Sequence, residues 1–504
     1  KFKRMLLVIC LIKKELKMKE ITNTLSPLNI TVKGNELALK TEGSASGILC
    51  KLLQEFKPVD FEVIANPFNA ENFKIQNKHY LVSSIETILE VAKSKRWGLC
   101  KNHSFIYLYN GTYWNELDGE AFQNFLGEAA ERMGVPIFSA KFYSFREQLF
   151  KQFLAAAYLS SPELDKNTVL INLRNGTFEV DSMGERLRSF DSSDFLTYQL
   201  PFDYLPEAKA PLFKAYLNKV LPDIERQKVL AEYLGFLFMK HGSDRLKEEK
   251  ALILYGTGAN GKSVFFEVVS ALLGSENMSN FSMQSLTNEN GYFRAKIGNK
   301  LVNYATEMSG KLESAVFKQL VSGEPVEARL PYGEPFTLTQ YAKLIFNCNE
   351  LPKDVEHTNG YFRRFLIIPF DVTIPPHEQD KQLHTKIIEQ ELSGVFNWVI
   401  EGLNRLLDQK GFTDCQAAQK AVDQYRTEAD SVRMFMEELE YVKSPNKYKL
   451  SKNLYSQYRT FCLEDGYSPL KRGNFTKRLD AIGIVMSRLN VGNVAYIENG
   501  REDF

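Results

Sequence analysis

The octapeptide GTGANGKS, Gly256 to Ser263, constrains this chain more than any other stretch. It follows a short apolar run of the buried-strand kind, Ala251 to Tyr255, and leads into the helical stretch VFFEVVSALL, which Gly274 closes. Strand, glycine loop and helix in that order are what a phosphate cradle requires. Glycines let successive backbone N–H groups turn inward, the helix N-terminus adds the positive end of its dipole, and Lys262 can reach the β and γ phosphates. The candidate nucleotide-contacting residues are therefore Gly256, Thr257, Gly258, Ala259, Asn260, Gly261, Lys262, Ser263 and Val264, with the Ser263 hydroxyl on Mg2+.

Glycine loops of this kind serve kinases, motors and switches alike, so the rest of the site must decide between them. Lys300 to Glu307 reads KLVNYATE, an apolar strand ending in a carboxylate 44 residues beyond Ser263. Such a carboxylate can orient and deprotonate an attacking water and sit near the metal. Spacing alone equally allows a surface Glu that closes a core strand, and Thr306 stands where an Asp often helps to hold Mg2+. Ala342 to Phe346 is a third apolar strand, running into Asn347-Cys348-Asn349-Glu350-Leu351-Pro352. An amide at its tip can hydrogen-bond a γ-phosphate without adding negative charge, or the asparagines can make an Asx-type turn before Pro352. Gly360 to Phe370, GYFRRFLIIPF, sets two arginines before a strand. Arg brings permanent planar charge to a transferring phosphoryl group, and such pairs also occur as plain surface ion pairs.

A length of 504 residues suggests about three domains. Hydrophobic residues at 44% and charged residues at 25% fit a soluble globular chain and exclude disordered and membrane classes. The balance of 63 Lys and Arg against 62 Asp and Glu hides any basic surface in the total. One local excess exists: Lys443 to Arg488 holds ten Lys and Arg against three Asp and Glu, a duplex-binding face or a solvated basic helix. Six cysteines stand without C-x-x-C spacing, which predicts a reducing compartment and no structural zinc. The apolar run Met5 to Ile12 is too short to span a bilayer, no small-residue cleavage pattern follows it, and the residues before Met18 read as an extension or a fragment edge. Asn110-Gly111 and Arg174-Asn175-Gly176 predict hairpins, and Leu212 to Leu237 reads as helix broken at Leu221-Pro222-Asp223. No chemistry can be assigned up to Ser83.

The ordered set GTGANGKS, KLVNYATE, FKQLVSGEPVEARLPYGEPFTLTQYAKLIFNCNELP and GYFRRFLIIPF resembles the superfamily 3 helicases, in particular the poxvirus-type primase-helicase branch of phages, plasmids and large DNA viruses. The resemblance implies that Lys262 and Ser263 hold nucleotide and Mg2+, that Glu307 is the catalytic and metal-binding acid of the second motif, and that Asn349 is the sensor. It makes Arg364, with Arg363 as second choice, a finger inserted into a neighbouring subunit's site. It also implies a hairpin aimed into a central channel, here Glu327 to Thr337 with a turn at Pro331-Tyr332-Gly333-Glu334. Arg329, Tyr332 and the nearby Lys318 would then touch DNA, by neutralising phosphates and stacking on bases; an ordinary solvent-facing hairpin is the alternative. Upstream, YNGTYW, INLRNGTFEV and the helical run to Met239 look like the domain that precedes the ATPase in this branch. Downstream, Asp430 to Ile497 is similar to its terminal winged helix, with Lys471, Arg472, Asn474, Lys477 and Arg478 on the DNA-facing helix and a wing about Asn490 to Asn493.

The expected fold is multi-domain α/β. It comprises an unassigned N-terminal extension over 1–85, a helical α+β domain over 86–245, a P-loop, AAA+-like ATPase core over 246–375, a helical connector over 376–428 and a winged helix over 429–504. The expected activity is unwinding of DNA with ATP and Mg2+ by a homo-oligomeric ring, a hexamer, on single-stranded and forked DNA. The expected location is the cytoplasm of a prokaryotic host or a viral replication site, with no membrane partner. A primase or polymerase would lie on another chain: Asp60-Phe61-Glu62 could imitate a metal-holding carboxylate pair, but fewer than 110 residues precede the first hairpin, too few for a catalytic palm. The rival classes are a DNA-binding initiator or loader that never unwinds, separated by forked-duplex displacement, and a P-loop small-molecule kinase, which would turn over as a monomer and ignore DNA.

Overall fold

The computed structural model describes residues 45–66, 68, 73–102, 105–157, 166–306, 308, 313–331, 333–353 and 355–500. The expectations for Met5 to Ile12, and for Cys10 within it, lie outside the described residues. The chain divides into two units, one of residues up to 111 with 115–160, the other of 112–114 with 161–504. Among the described residues no helix is long and apolar enough to cross a membrane, and Cys50, Cys100, Cys348, Cys415 and Cys462 carry free thiols.

In the first unit the helices Ala45–Glu55, Asn77–Ser94, Gly119–Met133 and Tyr143–Ala156 close over the antiparallel strands Leu99–Asn102 and Phe105–Tyr109. One apolar core, centred on Phe122 against Phe153 at 4.6 Å, joins residues on both sides of position 85. The sequence-based boundary at 85 therefore does not coincide with a break in packing. Asp118 begins the helix Gly119–Met133 by accepting from the Ala121 N–H at 2.9 Å, and Gly134, with φ +104°, ends it. Asp60 proves to be a helix cap, accepting from the N–H groups of Glu62 and Val63 at 3.1 Å each, rather than half of a metal-holding pair.

The second unit begins with the antiparallel strands Val169–Leu173, Gly176–Asp181 and Gly184–Arg188. The turn is the pair Arg174-Asn175, so Gly176 opens the second strand instead of lying in the turn. The predicted break at Leu221-Pro222-Asp223 separates the helices Pro211–Val220 and Ile224–Phe236, and Asp223 caps the second. Both pack on the 27-residue helix Leu383–Gln409. A Cβ on Gly402 would come within 2.3 Å of the Ala231 carbonyl carbon, so that contact demands glycine. Buried Glu391 accepts from the N–H groups of Leu212 and Phe213 at 2.9 Å, and fully buried Glu232 is satisfied by Arg405 at 2.6 Å and by Thr413. These helices share one core with the central sheet. The boundaries expected at 245 and 375 thus cut through a single packed body.

That sheet has five strands, β1 (Ala251–Tyr255), β2 (Met278–Ser279), β3 (Val302–Ala305), β4 (Lys343–Cys348) and β5 (Phe365–Pro369), all paired parallel in the order β5-β1-β4-β3-β2. Their near-continuous apolar residues fit strands covered on both faces. The chain passes from β1 to the far edge at β2, returns through β3 and β4 and then crosses past β1 to β5. The strand order therefore reverses about β1, the position at whose carboxyl end parallel sheets open a crevice. A separate hairpin, Val326–Arg329 with Pro335–Leu338, is inserted between β3 and β4. The chain ends in helices Ser431–Glu438, Ser451–Glu464 and Arg472–Ala481 and a sheet in which Gly492–Ala495 lies between Lys449–Leu450 and Met486–Leu489. Here Leu489 faces Gly492, so the turn is the pair Asn490-Val491, tighter than the loop expected over Asn490 to Asn493.

Candidate functional site

The glycine loop occupies the crevice beyond β1. Positive φ angles at Gly256 (+156°), Gly258 (+118°), Ala259 (+50°) and Gly261 (+88°) fold it back on itself. Two positions exclude any side chain: a Cβ on Gly256 would lie 2.4 Å from the Asn260 amide and the Phe370 carbonyl, and one on Gly261 would lie 2.6 Å from Val220. Around Gly258 the space is open. The loop is braced from behind, because Asn260 donates to the Phe370 carbonyl (3.0 Å) and the Ile374 N–H to the Ala259 carbonyl (2.8 Å). The Tyr216 hydroxyl donates to the Gly261 carbonyl at 2.8 Å. Thr257, Gly258, Ala259 and Ser263 are exposed, whereas Val264 leans on the core. The helix Lys262–Leu273 starts at Gly261 with no side-chain cap, so its first-turn N–H groups face the loop's concave side without an internal acceptor.

Lys262 is only 7% exposed and lies within this loop. Its ammonium donates to the Gly256 carbonyl and, at 3.4 Å, to Oδ1 of Asn349, which follows the end of β4. Burial pulls its pKa below the ordinary lysine value, and among the described residues no carboxylate pairs with it. An enclosed ammonium bonded only to neutral oxygens, with open space at Gly258 in the same loop, can take an anion in their place. Asn347, two residues earlier, instead accepts from the buried Tyr304 hydroxyl at 3.1 Å and ties β4 to β3. Glu307 lies outside the described residues, as does Tyr332; Thr306 is exposed just past β3. For Mg2+ the described residues offer the Ser263 hydroxyl, a hard oxygen donor of the kind that ion takes.

At the opposite, amino-terminal edge of the sheet stand Arg363 and Arg364, just before β5. The structure places the two side chains differently. Arg364 is 8% exposed and internally committed: it donates to the Ser322 hydroxyl (2.8 and 3.2 Å) and the Gly360 carbonyl and lies 3.2 Å from Glu249. A guanidinium so enclosed cannot reach another subunit without dismantling its own surroundings. The Arg363 side chain is 56% exposed and held by one ion pair, 2.6 Å to Glu249. Nearby, Lys343 at the start of β4 is also buried, donating to the Met239 carbonyl beneath the Phe236 ring, and burial brings its pKa down to about 7.

The expected DNA contacts divide by their partners. Arg329 is exposed at the hairpin end and donates to the Gly333 carbonyl at 2.8 Å. Lys318 is half-buried and ion-paired to Glu356 at 2.9 Å, a bond that, with Thr358, holds the Glu356 carboxyl below its usual range. On the terminal helix Lys471, Arg472, Asn474 and Lys477 are exposed. Arg478 is not a free surface cation: it pairs with buried Asp430 through Nε (2.9 Å) and Nη2 (2.5 Å), while Asp430 caps Ser431–Glu438. No sequence signal points to Tyr216, 45 residues before Gly261, or to Glu249, which looks like any acid ahead of a strand. Asp223, Glu225 and Cys415 bring ligand atoms within 4.8 Å of one another, but Asp223 is already a helix cap paired with Arg226.

Two family models match parts of the chain: "D5 N terminal like" over residues 86–222, and "Family of unknown function (DUF5906)" over residues 254–364. The chain is similar to two viral proteins. It is 26% identical over 220 residues to "Putative helicase L207/L206" of Acanthamoeba polyphaga mimivirus, covering 41% of this chain and 22% of that protein. It is 24% identical over 328 residues to "Putative helicase 121R" of Invertebrate iridescent virus 3, covering 56% of this chain and 34% of that protein. The chain thus spans about a fifth to a third of the length of these curated relatives. Among solved structures, the apo C-terminal region of NrS-1 aligns with a TM-score of 0.44 at 13% identity, over 82% of this chain and 99% of that one. The second family model runs from the end of β1 to Arg364, so it takes in the glycine loop, Lys262, Asn349 and both arginines at the sheet edge.

Proposed function

We propose that this chain is the ATP-hydrolysing part of a DNA helicase of superfamily 3 type, working as a homo-oligomeric ring, a hexamer, with Mg2+. The observation that carries the reading is the meeting of Lys262 and Asn349, 87 residues apart, inside a glycine loop at the switch point of a parallel sheet. The printed names of the viral relatives support it. In the bound state the Lys262 ammonium exchanges neutral oxygens for β and γ phosphates, and the loop N–H groups take the remaining oxygens. Asn349, released from Lys262, turns its amide to the γ-phosphate or the attacking water. Mg2+, with Ser263 as one donor, supplies neutralisation of phosphate charge, and Glu307 is assigned as general base. Arg363 is the guanidinium lent to the neighbouring subunit's site, and Arg364 holds its base in place.

DNA binding on this reading is shared by the hairpin, through Arg329 and Tyr332, and a terminal winged helix, through Lys471, Arg472, Asn474 and Lys477. Lys318 contributes only by exchanging Glu356 for a phosphate. Forked-duplex displacement with ATP against a non-hydrolysable analogue tests the proposal. Displacement only with ATP is expected, and binding without displacement would assign a loader instead. Mixing Lys262→Ala with Arg363→Ala subunits is expected to restore part of the ATPase that each lacks alone; no restoration in intact rings would overturn the shared site.

A further inference from the structure

We infer that Glu249 is a latch that holds Arg363 on its own subunit until a neighbour's nucleotide competes for it; this rests on the reading of Arg363 as a trans-acting group. Both guanidinium groups share one oxygen, Oε2 of Glu249, at 2.6 Å from Arg363 and 3.2 Å from Arg364. The two bonds are unlike. Arg364 is buried and also fixed by Ser322 and Gly360, so its pairing with Glu249 is permanent. Arg363 has a fixed backbone, its N–H on the Asn359 carbonyl (3.0 Å) and its carbonyl taken by Lys250 Nζ (2.7 Å), but an exposed side chain. Only the guanidinium is free to swing.

The charges around it favour a switch between two partners. Lys250 and Glu248 lie beside the pair, Lys250 opposing and Glu248 accompanying the carboxylate, and Glu356 feels Arg364 from the loop beyond β4. When Arg363 leaves, Glu249 keeps Arg364 as counterion, so no buried charge is stranded. An exposed ion pair is weak enough to be displaced by a triphosphate, which offers more negative charge in bidentate geometry. In a dilute or misassembled subunit the same bond keeps the guanidinium on its own carboxylate and away from chance phosphates. Glu249 is thus a positioning residue that sets how strongly ATPase depends on assembly.

The test is a dilution series of the full chain with ATP, comparing wild type, Glu249→Gln, Arg363→Ala and the double variant, with thermal melts as the folding control. Glu249→Gln should shift the midpoint of ATPase against protein concentration downward by about threefold, as expected for an exposed pair, with KM for ATP unchanged. The double variant should match Arg363→Ala. Glu249→Asp keeps the charge but draws it back from both guanidinium groups, and Arg364 still has Ser322 and Gly360, so it should reproduce the shift if the Gln variant folds poorly. An unshifted midpoint in both Glu249 variants, with Arg363→Ala inactive, would overturn the latch alone. Full activity of Arg363→Ala at every concentration would overturn the trans-acting reading beneath it.

Discussion

The two edges of the central sheet each bury a lysine, and their fates differ. Lys262 at the carboxyl edge is 7% exposed and Lys343 at the amino edge 6% exposed; among the described residues neither has a carboxylate partner. Lys262 lies in a loop that is crowded at Gly256 and Gly261 but open at Gly258. Lys343 is sealed between the Met239 carbonyl, the Phe236 ring and His241, whose own pKa burial and the adjacent Lys343 charge drive down to about 3. Burial of a cation therefore does not identify a site. Burial beside room for an anion does, and that room comes from backbone geometry rather than from the lysine.

The largest effect that could break this contrast is at Lys262. Lys262→Ala should lower kcat for ATP hydrolysis by about a hundredfold or more, the scale of removing one preorganised transition-state contact. The melting temperature should hold, because a desolvated ammonium is lost with little packing. A variant that hydrolyses ATP normally would place the anion seat elsewhere.

Lys343 should behave oppositely. Its amine titrates near pH 7 in the folded protein against about 10.4 in an unfolded chain. Unfolding therefore takes up a proton between those values, and stability should rise with pH across that window, by a few kcal/mol in all. The stabilisation fully present above about pH 10 is lost as pH falls toward 7. Lys343→Met should flatten the slope and raise stability near neutrality by about 1 kcal/mol, the relief of charge burial exceeding the lost bond to Met239. ATPase should stay within about twofold of wild type, since no transition-state contact is removed. Chemical denaturation across pH 7 to 10 checks both values; an equal slope in wild type and variant would mean that water reaches Lys343.

How far these differences could be read from the sequence depends on the range of the interaction. The strand Ala251–Tyr255, the helix Lys262–Leu273 and the break before Asp223 follow from local patterns and turn chemistry, and each lies within a few residues of where periodicity puts it, whereas the hairpin before β4 is expected from the family resemblance alone. The domain boundaries at 245 and 375 do not follow from local patterns, because the helix Leu383–Gln409 folds back over helices that precede the sheet, and Gly402 against Ala231 is visible only in three dimensions; position 85 falls inside the separate core of the first unit. The same holds for the cations. Arg363 and Arg364 are neighbours of one type, and only Ser322, Gly360 and Glu249 decide which one is buried.

The smallest expected effects extend the contrast to another adjacent pair, Lys477 and Arg478 on the terminal helix. Lys477 is exposed with no ion pair described, whereas Arg478 is bound to Asp430, which is 1% exposed. Lys477→Ala should weaken DNA binding only modestly and lower the slope of log K against log salt by about 1, the loss of one phosphate contact. Its melting temperature should not change. Arg478→Ala strands a buried carboxylate that also caps a helix, so it should unfold the terminal module at lower denaturant while leaving the binding slope of the folded fraction intact. If Arg478→Ala instead reduced the slope like Lys477→Ala and left stability alone, the rule that a cation's partner decides between scaffold and ligand contact would fail where the sequence makes it hardest to see.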